Sequence, residues 1–329
     1  MRFFVLCVGL TVSFLTVSLF VGPVLAAVDM DWVTISGGNS QCDPKAQGCF
    51  GKVDYTYRVG KYEVTNTQYA EFLNAVANSD GHGLYNPNMA LANGGISRSG
   101  SDGAYAYGVS TGQGNKPVNY VSFYDSLRFA NWLHNDQPVG PQTNSTTEDG
   151  AYTLTSQGMN QNQVTRNASA SVFLTSEDEW YKAAYYDKSA QHFLDYATQN
   201  GAEIACSTPD AATNSANCSN MLGMPTIVGA YLNSISPSGT FDQNGNVSEW
   251  TESRYGSLSR VLRGGSFESS LPLSLSSSSR STSNSIFPGQ DFVGFRVASV
   301  VPEPSTALLM GIGLIGISNS RRRARRQRA

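Results

Sequence analysis

Residues 245–251 read Gly-Asn-Val-Ser-Glu-Trp-Thr, and residues 263–267 read Arg-Gly-Gly-Ser-Phe. Between these two motifs, the segment Arg260–Leu262 has the composition of a short β-strand. The preceding residues 195–245 are rich in glycine, asparagine and serine, which predicts a loop. Residues 269–286 have the serine-rich composition of a linker, but they lie between strand-like segments. We therefore interpret this run as a surface loop inside the domain.

Three helices are predicted upstream from their N-terminal caps. Thr65 is followed three residues later by Gln68, which is the pattern of a capping box. Apolar residues then recur at helical spacing on one stripe: Tyr69, Phe72, Leu73 and Val76. Ser122 caps a second helix, and Ser176, with Glu179 three residues on, caps a third.

The remaining strand signals are short, and long loops separate them. Together with Arg260–Leu262, the strand-like segments are Trp32–Ile35, Tyr55–Val64, Val172–Leu174 and Phe295–Ser299. Residues 80–116 and 135–170 are also predicted to be loops. No internal repeat is visible, so residues 27–300 are predicted to form one domain.

The composition favours a loop-rich extracellular domain with a real core. Of 329 residues, 14% are charged, 32 are glycine and 11% are aromatic, whereas an average soluble domain is about 25% charged. When Arg2 and the six Arg and one Glu after residue 301 are set aside, 15 basic and 24 acidic groups remain. A body with net charge −9 is unsuited to neutralising nucleic-acid phosphates, and we exclude that class of ligand.

The N-terminal residues predict export. Arg2 precedes the apolar run Phe3–Val21, and the small or apolar Val24 and Ala26 stand at positions suited to signal-peptide cleavage after Ala26. Residues 1–26 are therefore predicted to be a signal peptide. An uncleaved membrane anchor is the alternative, and it also places the body outside the cytoplasm.

The C-terminal residues 301–329 form a second targeting segment. Residues 302–304 read Pro-Glu-Pro, followed by the apolar residues 306–317 and an arginine-rich tail. This order resembles the PEP-CTERM sorting signal of Gram-negative bacteria. The resemblance implies recognition by an exosortase, cleavage near the Pro-Glu-Pro, transient membrane association through the tail, and a final location at the cell surface or outside the cell. An ordinary C-terminal anchor is the alternative, although the apolar run is shorter than the roughly 17–25 residues of a membrane span.

Cysteine usage agrees with export. Cys7 would leave with the signal peptide, and the remaining four residues form two pairs close in sequence, Cys42 with Cys49 and Cys206 with Cys218. Four cysteines allow three connectivities, of which we expect the local pairing in an oxidising compartment. A four-thiolate zinc site is the alternative, but the C-x₂-C spacing typical of such sites is lacking.

Six short segments occur in an order that resembles one family. They are Gly60–Asn66 (GKYEVTN), Pro117–Ser122 (PVNYVS), Leu174–Trp180 (LTSEDEW), Gly245–Thr251 (GNVSEWT), Arg263–Phe267 (RGGSF) and Gly294–Arg296 (GFR). In this order they resemble the formylglycine-generating enzyme family, also called the sulfatase-modifying factor domain. The resemblance covers about residues 30–300 and implies an α+β, C-type-lectin-like fold with little regular secondary structure.

The chain departs from this family at the residues that carry the chemistry. Family oxidases bind Cu(I) through two cysteine thiolates just after the Gly-Gly-Ser block, and those positions are Ser269 and Ser274 here. Soft thiolates select Cu(I), whereas hydroxyls are hard ligands that stay protonated near neutral pH. Ser248 also replaces the tryptophan that the family usually has beside its active site. We expect no copper and assign no catalytic residue.

The resemblance also implies calcium, which the family binds at the turn before the Glu-Trp pair. Carried over residue by residue, the ligands of a structural Ca²⁺ ion are Asp242, Gly245, Val247 and Glu249. Oxygen ligands on an irregular turn suit this ion. A second family site uses the side-chain amide of Asn217 and the carbonyl of Cys218. The alternative at the first site is a polar turn in which Glu249 pairs with an arginine or with backbone N–H groups.

These observations predict an exported, non-catalytic relative of the family that acts as a binding or matrix module, with an extracellular glycan or protein as its ligand. The expected binding cleft is the family's substrate groove: Ser248, Trp250, Gly264–Glu268, Ser269, Ser274 and Arg280. An oxidase that acts on cysteines of exported proteins is the alternative. A purely structural matrix protein is the third reading, and it predicts no saturable ligand.

Overall fold

The computed structural model describes residues 27–38, 41–209, 212–270 and 272–301. The predicted signal peptide, residues 1–26, lies outside the described residues, as does the sorting segment after residue 301. The helices are α1 (Asn66–Val76), α2 (Phe123–His134), α3 (Ser156–Asn160) and α4 (Glu177–Tyr185). The strands of the two larger sheets are β1 (Trp32–Ile35), β2 (Tyr57–Gly60), β3 (Val172–Leu174), β4 (Ser248–Tyr255), β5 (Ser259–Arg263), β6 (Ser281–Asn284), β7 (Val293–Gly294) and β8 (Val297–Val300).

The three main helices begin where their caps predict. Thr65 and Gln68 form the capping box of α1, in which the Thr65 side chain accepts from the Gln68 N–H and the Gln68 side chain accepts from the Thr65 N–H. Reciprocal boxes also open α2 at Ser122 and α4 at Ser176. Each box satisfies backbone donors that have no partner inside the helix, so the chain direction changes sharply at these residues.

The first sheet brings the two ends of the domain together. Its strand order is β1-β2-β8-β3, and all neighbours are antiparallel. The register pairs Val59 of β2 with both Val33 and Ala298, so the last strand is inserted beside the second. The predicted strand Tyr55–Val64 is shorter in the structure, because only Tyr57–Gly60 pairs with neighbours.

The second sheet carries the motif-bearing hairpin. Its order is β6-β5-β4-β7, with β4 and β5 antiparallel and β4 and β7 parallel. The serine-rich run interpreted as a surface loop contributes a 3₁₀ turn, Pro272–Leu275, and the edge strand β6. An edge strand is held by backbone hydrogen bonds to one neighbour, and its side chains need not be apolar. The serine-rich sequence of β6 therefore did not indicate a strand.

Four short ribbons lie outside the two larger sheets, and two of them, at residues 96–109 and 205–216, occupy regions predicted to be loops. They pair Asp43–Lys45 with Gly48–Phe50, Ile96–Ser99 with Ala106–Val109, Tyr186–Asp187 with His192–Phe193, and Ala205–Cys206 with Ser215–Ala216. The local disulfide pairing is confirmed, since Cys42 bonds to Cys49 and Cys206 to Cys218. Each disulfide therefore fastens one of these small ribbons or its flank.

Aromatic rings fill the core between the two longer helices and the sheets. Phe129 of α2 lies 5.4 Å from Phe72 of α1 and 5.4 Å from Phe295, measured between ring centroids. Edge-on pairs of this kind stabilise a core beyond their area burial by about 0.5–1.5 kcal/mol each. No helix within the described residues is long and apolar enough to span a membrane.

Candidate functional site: a serine-lined cleft over buried ion pairs

Two adjacent glycines at the end of β5 allow the following loop to pack closely. Gly264 and Gly265 have φ angles of +94° and +67°, a region that residues with a Cβ rarely adopt. A Cβ on Gly265 would lie 2.6 Å from Leu275 Cδ2 and 2.9 Å from Ser269 Oγ. The chain after residue 266 therefore folds back onto the glycines and forms one wall of a cleft.

This serine cleft has a volume of about 400 Å³. The residues that line it are Ser248, Leu262, Arg263, Gly264, Gly265, Ser266, Glu268, Ser269, Ser274, Ser279, Arg280, Ser281 and Phe292. Of the residues predicted for the binding cleft, the structure brings Ser248, Ser269, Ser274 and Arg280 together here. No histidine or cysteine is among the described residues that line it.

Trp250 does not line the serine cleft, which corrects the sequence-based assignment. Its side chain is only 2% exposed, its indole N–H donates to the Val121 carbonyl at 3.1 Å, and its ring packs on Phe123. In a regular strand, Ser248 and Trp250 would lie on the same face, because successive side chains alternate between the two faces. The hydrogen bond to Val121 instead holds the large ring in the core.

The Ser269 hydroxyl has a structural partner within its own loop. Its Oγ accepts from the Ser266 N–H at 2.9 Å, while its carbonyl accepts from the Ser219 N–H at 2.8 Å. Local side-chain-to-backbone bonds of this type stabilise turns. Ser269 thus orders the wall of the cleft through the hydrogen bonds of its hydroxyl and its carbonyl.

Glu177 fixes two arginines at the base of the cleft. Its Oε1 accepts from Arg263 Nε at 2.8 Å and from Arg280 Nε at 2.9 Å, and its Oε2 accepts from Arg280 Nη2 at 2.6 Å. The Arg263 guanidinium also lies over the Phe50 ring at 4.7 Å. Two guanidinium groups share one carboxylate, so the base carries an excess of one positive charge.

Glu268 offsets this charge at the other wall. Burial, reinforced by the charge of Asp291, raises the pKa of the Glu268 carboxyl above its usual value. The cleft therefore presents hydroxyls, one acidic group and a pair of fixed cations rather than a single dominant charge.

Behind the cleft, Glu249 belongs to a fully buried ion pair. Glu249 Oε2 accepts from Arg296 Nε at 2.6 Å and from the Trp180 indole N–H at 2.7 Å, and Oε1 accepts from Arg296 Nη2 at 2.6 Å. The remaining Arg296 donors reach the carbonyls of Gly60 and Phe241. Both side chains have no exposed surface. The pairing with an arginine, the alternative for Glu249, is therefore present in the structure.

The other residues predicted for the first calcium site surround this pair. Asp242 has a φ angle of +59°, and its Oδ2 accepts from the Gly229 N–H at 2.6 Å. Burial raises the pKa of Asp242 to about 6. Glu63, which sequence reasoning did not select, adjoins it, and burial together with the charges of Asp242 and Glu249 raises its pKa well above the usual value.

The backbone positions of the turn are equally enclosed. A Cβ on Gly245 would lie 2.3 Å from the Asn217 carbonyl oxygen, and Val247 has no exposed surface. At the second predicted site, the Asn217 amide donates to the Met224 carbonyl, and its Oδ1 is buried without a hydrogen-bond partner. The Cys218 carbonyl accepts from the Met221 N–H at 3.2 Å.

The donor chemistry fits calcium at some of these residues and not at others. Within the described residues, no three His, Cys, Asp or Glu side chains are grouped as a metal centre. The orphaned Asn217 Oδ1 and the orphaned Glu63 Oε2 are hard oxygens with no donor facing them. The Glu249 carboxylate, by contrast, already accepts three hydrogen bonds and is the least available ligand.

Glu63 and Glu177 are the residues of this region that sequence reasoning did not select. Glu177 stands at the first position of α4, where an acidic residue suits the helix dipole. Because this local role accounts for an acidic residue here, the sequence did not indicate the ion pair of Glu177 with Arg263, which lies 86 positions away. For both residues a signal was present, because Glu63 lies in the Gly60–Asn66 motif and Glu177 lies in the Leu174–Trp180 motif.

Comparison with known proteins agrees with this architecture. The profile of the sulfatase-modifying factor enzyme 1-like domain matches residues 26–301, and that of the PEP-CTERM protein-sorting motif matches residues 300–323. No curated protein matches the chain significantly.

Three solved structures are similar to this chain at low sequence identity. Treponema denticola variable protein 1 is 18% identical with a TM-score of 0.54, covering 84% of this chain and 98% of its own. CarF is 19% identical with a TM-score of 0.49, covering 83% and 99%. PvdO from Pseudomonas aeruginosa is 16% identical with a TM-score of 0.44, covering 84% and 93%. At these identities the likeness concerns the fold alone.

The motif order, the α+β architecture and the profile match over nearly the whole body agree with one another. The chain belongs to the family of sulfatase-modifying factor enzyme 1-like domains, with the C-type-lectin-like fold of formylglycine-generating enzymes, and it carries a PEP-CTERM sorting motif at the end of its last strand.

Proposed function

We propose that this exported protein is a binding module that holds its ligand in the serine cleft and does not perform the copper-dependent oxidation of its family. One observation carries the proposal: Ser269 and Ser274 line the cleft at the two positions where the family has copper-binding cysteines. The PEP-CTERM motif indicates export to the outer side of the cell and recognition by an exosortase-type sorting system.

The chemistry of the donors supports the loss of copper. Cu(I) is held by thiolates, and a serine hydroxyl is neither soft nor ionised near neutral pH. Each cysteine in the described part of the chain is bonded in a disulfide, so none of them offers a thiolate. A shift of one or two residues in the correspondence does not change this, because the sequence has no cysteine after Cys218.

The same wall suits recognition of a polar ligand. Serine hydroxyls donate and accept hydrogen bonds, and the Arg280 guanidinium is held in place by Glu177 with 15% of its side chain exposed. Because Glu177 and the Tyr255 ring fix this guanidinium, little side-chain freedom is lost when a ligand binds. We propose an extracellular glycan or protein segment as the ligand of the serine cleft.

The test is an oxidation assay with an engineered comparison. The purified exported protein is incubated with Cu(I), oxygen and a cysteine-containing peptide, and the peptide is analysed by mass spectrometry. We expect no conversion of the thiol to an aldehyde. Stoichiometric Cu(I) binding with aldehyde formation by the unaltered protein would contradict the proposal and support the oxidase.

A gain-of-function variant checks the correspondence of positions. The double substitution Ser269→Cys and Ser274→Cys should create Cu(I) binding that resists a competing chelator, because two thiolates then face the cleft. Ser269→Cys alone is the matched control and should bind much more weakly. Equal Cu(I) affinity of the double variant and the unaltered protein would show that these positions are not the family's copper ligands.

We also propose a structural Ca²⁺ ion at the turn of residues 242–247. The carboxylates of Glu63, Asp242 and Glu249 surround one guanidinium, that of Arg296, so the ionised cluster has excess negative charge in a buried place. Asp242 and the backbone carbonyls of Gly245 and Val247 are the oxygens that would hold the ion. Its chemistry there would be charge neutralisation, since hard oxygen ligands suit calcium.

Thermal unfolding with calcium and with chelator tests this ion. Binding to the folded state alone stabilises it by about 2.7 kcal/mol when the ligand is at one hundred times its dissociation constant. We expect added calcium to raise Tm, and Asp242→Asn to remove that gain. The exposed Glu203→Gln is the matched control and should keep it. A Tm that chelator leaves unchanged would contradict calcium binding.

A further inference from the structure

A second cleft, larger than the serine cleft, shares none of its lining residues. We call it the tyrosine cleft; its volume is about 600 Å³. The residues that line it come from four parts of the chain: His82, Gly83, Tyr85, Asn86 and Pro87; Tyr120, Ser122, Tyr124, Asp125 and Arg128; Met159 and Asn160; and Ser285, Ile286, Phe287, Pro288 and Gly289. Of the family motifs, only Pro117–Ser122 reaches this cleft, through Tyr120 and Ser122, and the proposed function does not include the cleft.

Aromatic carbon surface forms one side of the tyrosine cleft. The Tyr124 hydroxyl donates to the Met159 carbonyl at 2.7 Å, and the Tyr85 hydroxyl donates to the Ile96 carbonyl at 3.3 Å. Because these hydroxyls already have partners, the rings contribute mainly their carbon atoms to the wall. At the rim, Phe287 is 58% exposed and Ile286 is 55% exposed. Adjacent large apolar side chains left in water at a cavity mouth are typical of a binding surface.

The rim loop is held rigidly against the cleft wall. A Cβ on Gly289 would lie 2.1 Å from the Tyr120 carbonyl carbon, so only glycine allows the two backbone segments to approach this closely. The Tyr120 N–H donates to the Gln290 carbonyl at 2.9 Å. Tyr120 itself has a φ angle of +56°, which is uncommon for a residue with a Cβ. The loop that carries Phe287 is thus fixed before any ligand arrives.

The lining side chains of His82, Asp125 and Arg128 form a charged array with Glu148, which is not itself a lining residue. Arg128 Nε donates to Glu148 Oε1 at 2.7 Å, and Arg128 Nη2 donates to Glu148 Oε2 at 3.0 Å. Asp125 Oδ1 lies 3.6 Å from Arg128 Nη1, and His82 Nε2 lies 3.6 Å from Glu148 Oε1. Two carboxylates stand against one guanidinium, so the array does not favour an anionic ligand. It offers donors and acceptors side by side.

Aromatic carbon on one side and alternating donors and acceptors on the other match one chemical class. A pyranose ring has apolar C–H faces that pack on aromatic rings, and its hydroxyl groups both donate and accept. We propose that the tyrosine cleft binds a neutral oligosaccharide chain, with a sugar face against Phe287 and hydroxyl groups directed to the lining side chains of Asp125 and Arg128. This site is separate from the serine cleft and does not depend on the ligand of that cleft.

The experiment measures binding of defined sugars to the full exported protein by calorimetry. The probes are the neutral pentasaccharides of cellulose, xylan, mannan and chitin, and an oligogalacturonate serves as the anionic comparison. We expect at least one neutral probe to bind and the anionic probe to bind more weakly. Phe287→Ala should weaken the neutral probe about fivefold or more, because it removes the exposed stacking surface.

Two matched variants separate a lost site from a damaged fold. Phe287→Trp keeps an aromatic face and should retain binding, whereas Leu232→Ala removes a similarly exposed apolar side chain, 71% exposed, outside both clefts and should change nothing. The proposal is overturned if no neutral probe binds, if the anionic probe binds best, or if Phe287→Ala binds as the unaltered protein does. It is also overturned if Ser274→Ala, in the serine cleft, rather than Phe287→Ala abolishes sugar binding.

Discussion

The two sides of the β4–β5 hairpin differ in burial and in hydrogen bonding. Behind it, Glu249 and Arg296 are completely buried and fully bonded to one another and to their surroundings. In front of it, the serine cleft is open to solvent, and most of its serines belong to the loop between β5 and β6: Ser266, Ser269, Ser274 and Ser279. The difference indicates where substitutions are compatible with the family fold. Removing one partner of a buried pair leaves an uncompensated charge, whereas a residue on an open wall can be exchanged at little cost to folding.

The largest expected effect comes from breaking the buried side. Arg296→Met leaves the Glu249 carboxylate buried without its counter-ion, and we expect a loss of about 3–5 kcal/mol in the free energy of unfolding. Urea unfolding measures it. Arg254→Met, on the exposed end of β4, is the matched control and should stay within about 0.5 kcal/mol. Similar losses in the free energy of unfolding of both variants would contradict the proposed difference between the two sides.

A second prediction concerns the dependence of folding stability on pH. Burial alone would raise the pKa of Glu179, but the hydrogen bonds and charge of Arg166 outweigh burial and lower that pKa below its usual 4.5. A carboxyl group with a lowered folded-state pKa stabilises the fold above its unfolded pKa, and that contribution is lost as pH falls through the folded value. The stabilising contribution of Glu179 should therefore be lost on acidification below about pH 4.5.

Glu179→Gln identifies the source of that acid sensitivity. We expect it to lower stability at pH 7 by about 1–3 kcal/mol, because Arg166 loses a charged acceptor. It should also flatten the dependence of the urea midpoint on pH between 5 and 3. The exposed Glu203→Gln should leave the dependence unchanged. A profile equally steep in Glu179→Gln would assign the acid sensitivity to other carboxyl groups.

The smallest effects are expected in the serine cleft. Ser269→Ala removes the acceptor of the Ser266 N–H and should destabilise by about 1 kcal/mol. Ser274→Ala should change stability by less than about 0.5 kcal/mol. Thermal unfolding gives both values. A loss of several kcal/mol from either substitution would mean that the open wall, like the buried side, is needed for folding.

Local features of the fold were predictable, because they depend on neighbouring residues. The caps at Thr65, Ser122 and Ser176 were confirmed since each acts over three positions. The strands Trp32–Ile35 and Val172–Leu174 have the predicted bounds. The disulfides followed from short spacing.

Features that join distant segments were not predictable in this way. The tyrosine cleft combines four segments between residues 82 and 289, and only one of them includes part of a family motif, Pro117–Ser122. Trp250 was misplaced because strand alternation alone does not identify which face is buried or where a large ring finds a partner. Strand β6 was missed since an edge strand of serine and threonine has no apolar alternation.

The position of the final strand has a mechanical consequence. β8 is central in its sheet, hydrogen-bonded to β2 on one side and to β3 on the other, and the sorting motif begins at its last residue. Tension applied through a C-terminal tether would act along β8 and load both ladders in shear at once. Such an arrangement yields only when many bonds break together, so a domain held by this end would resist drag at the cell surface far better than one attached through an edge strand.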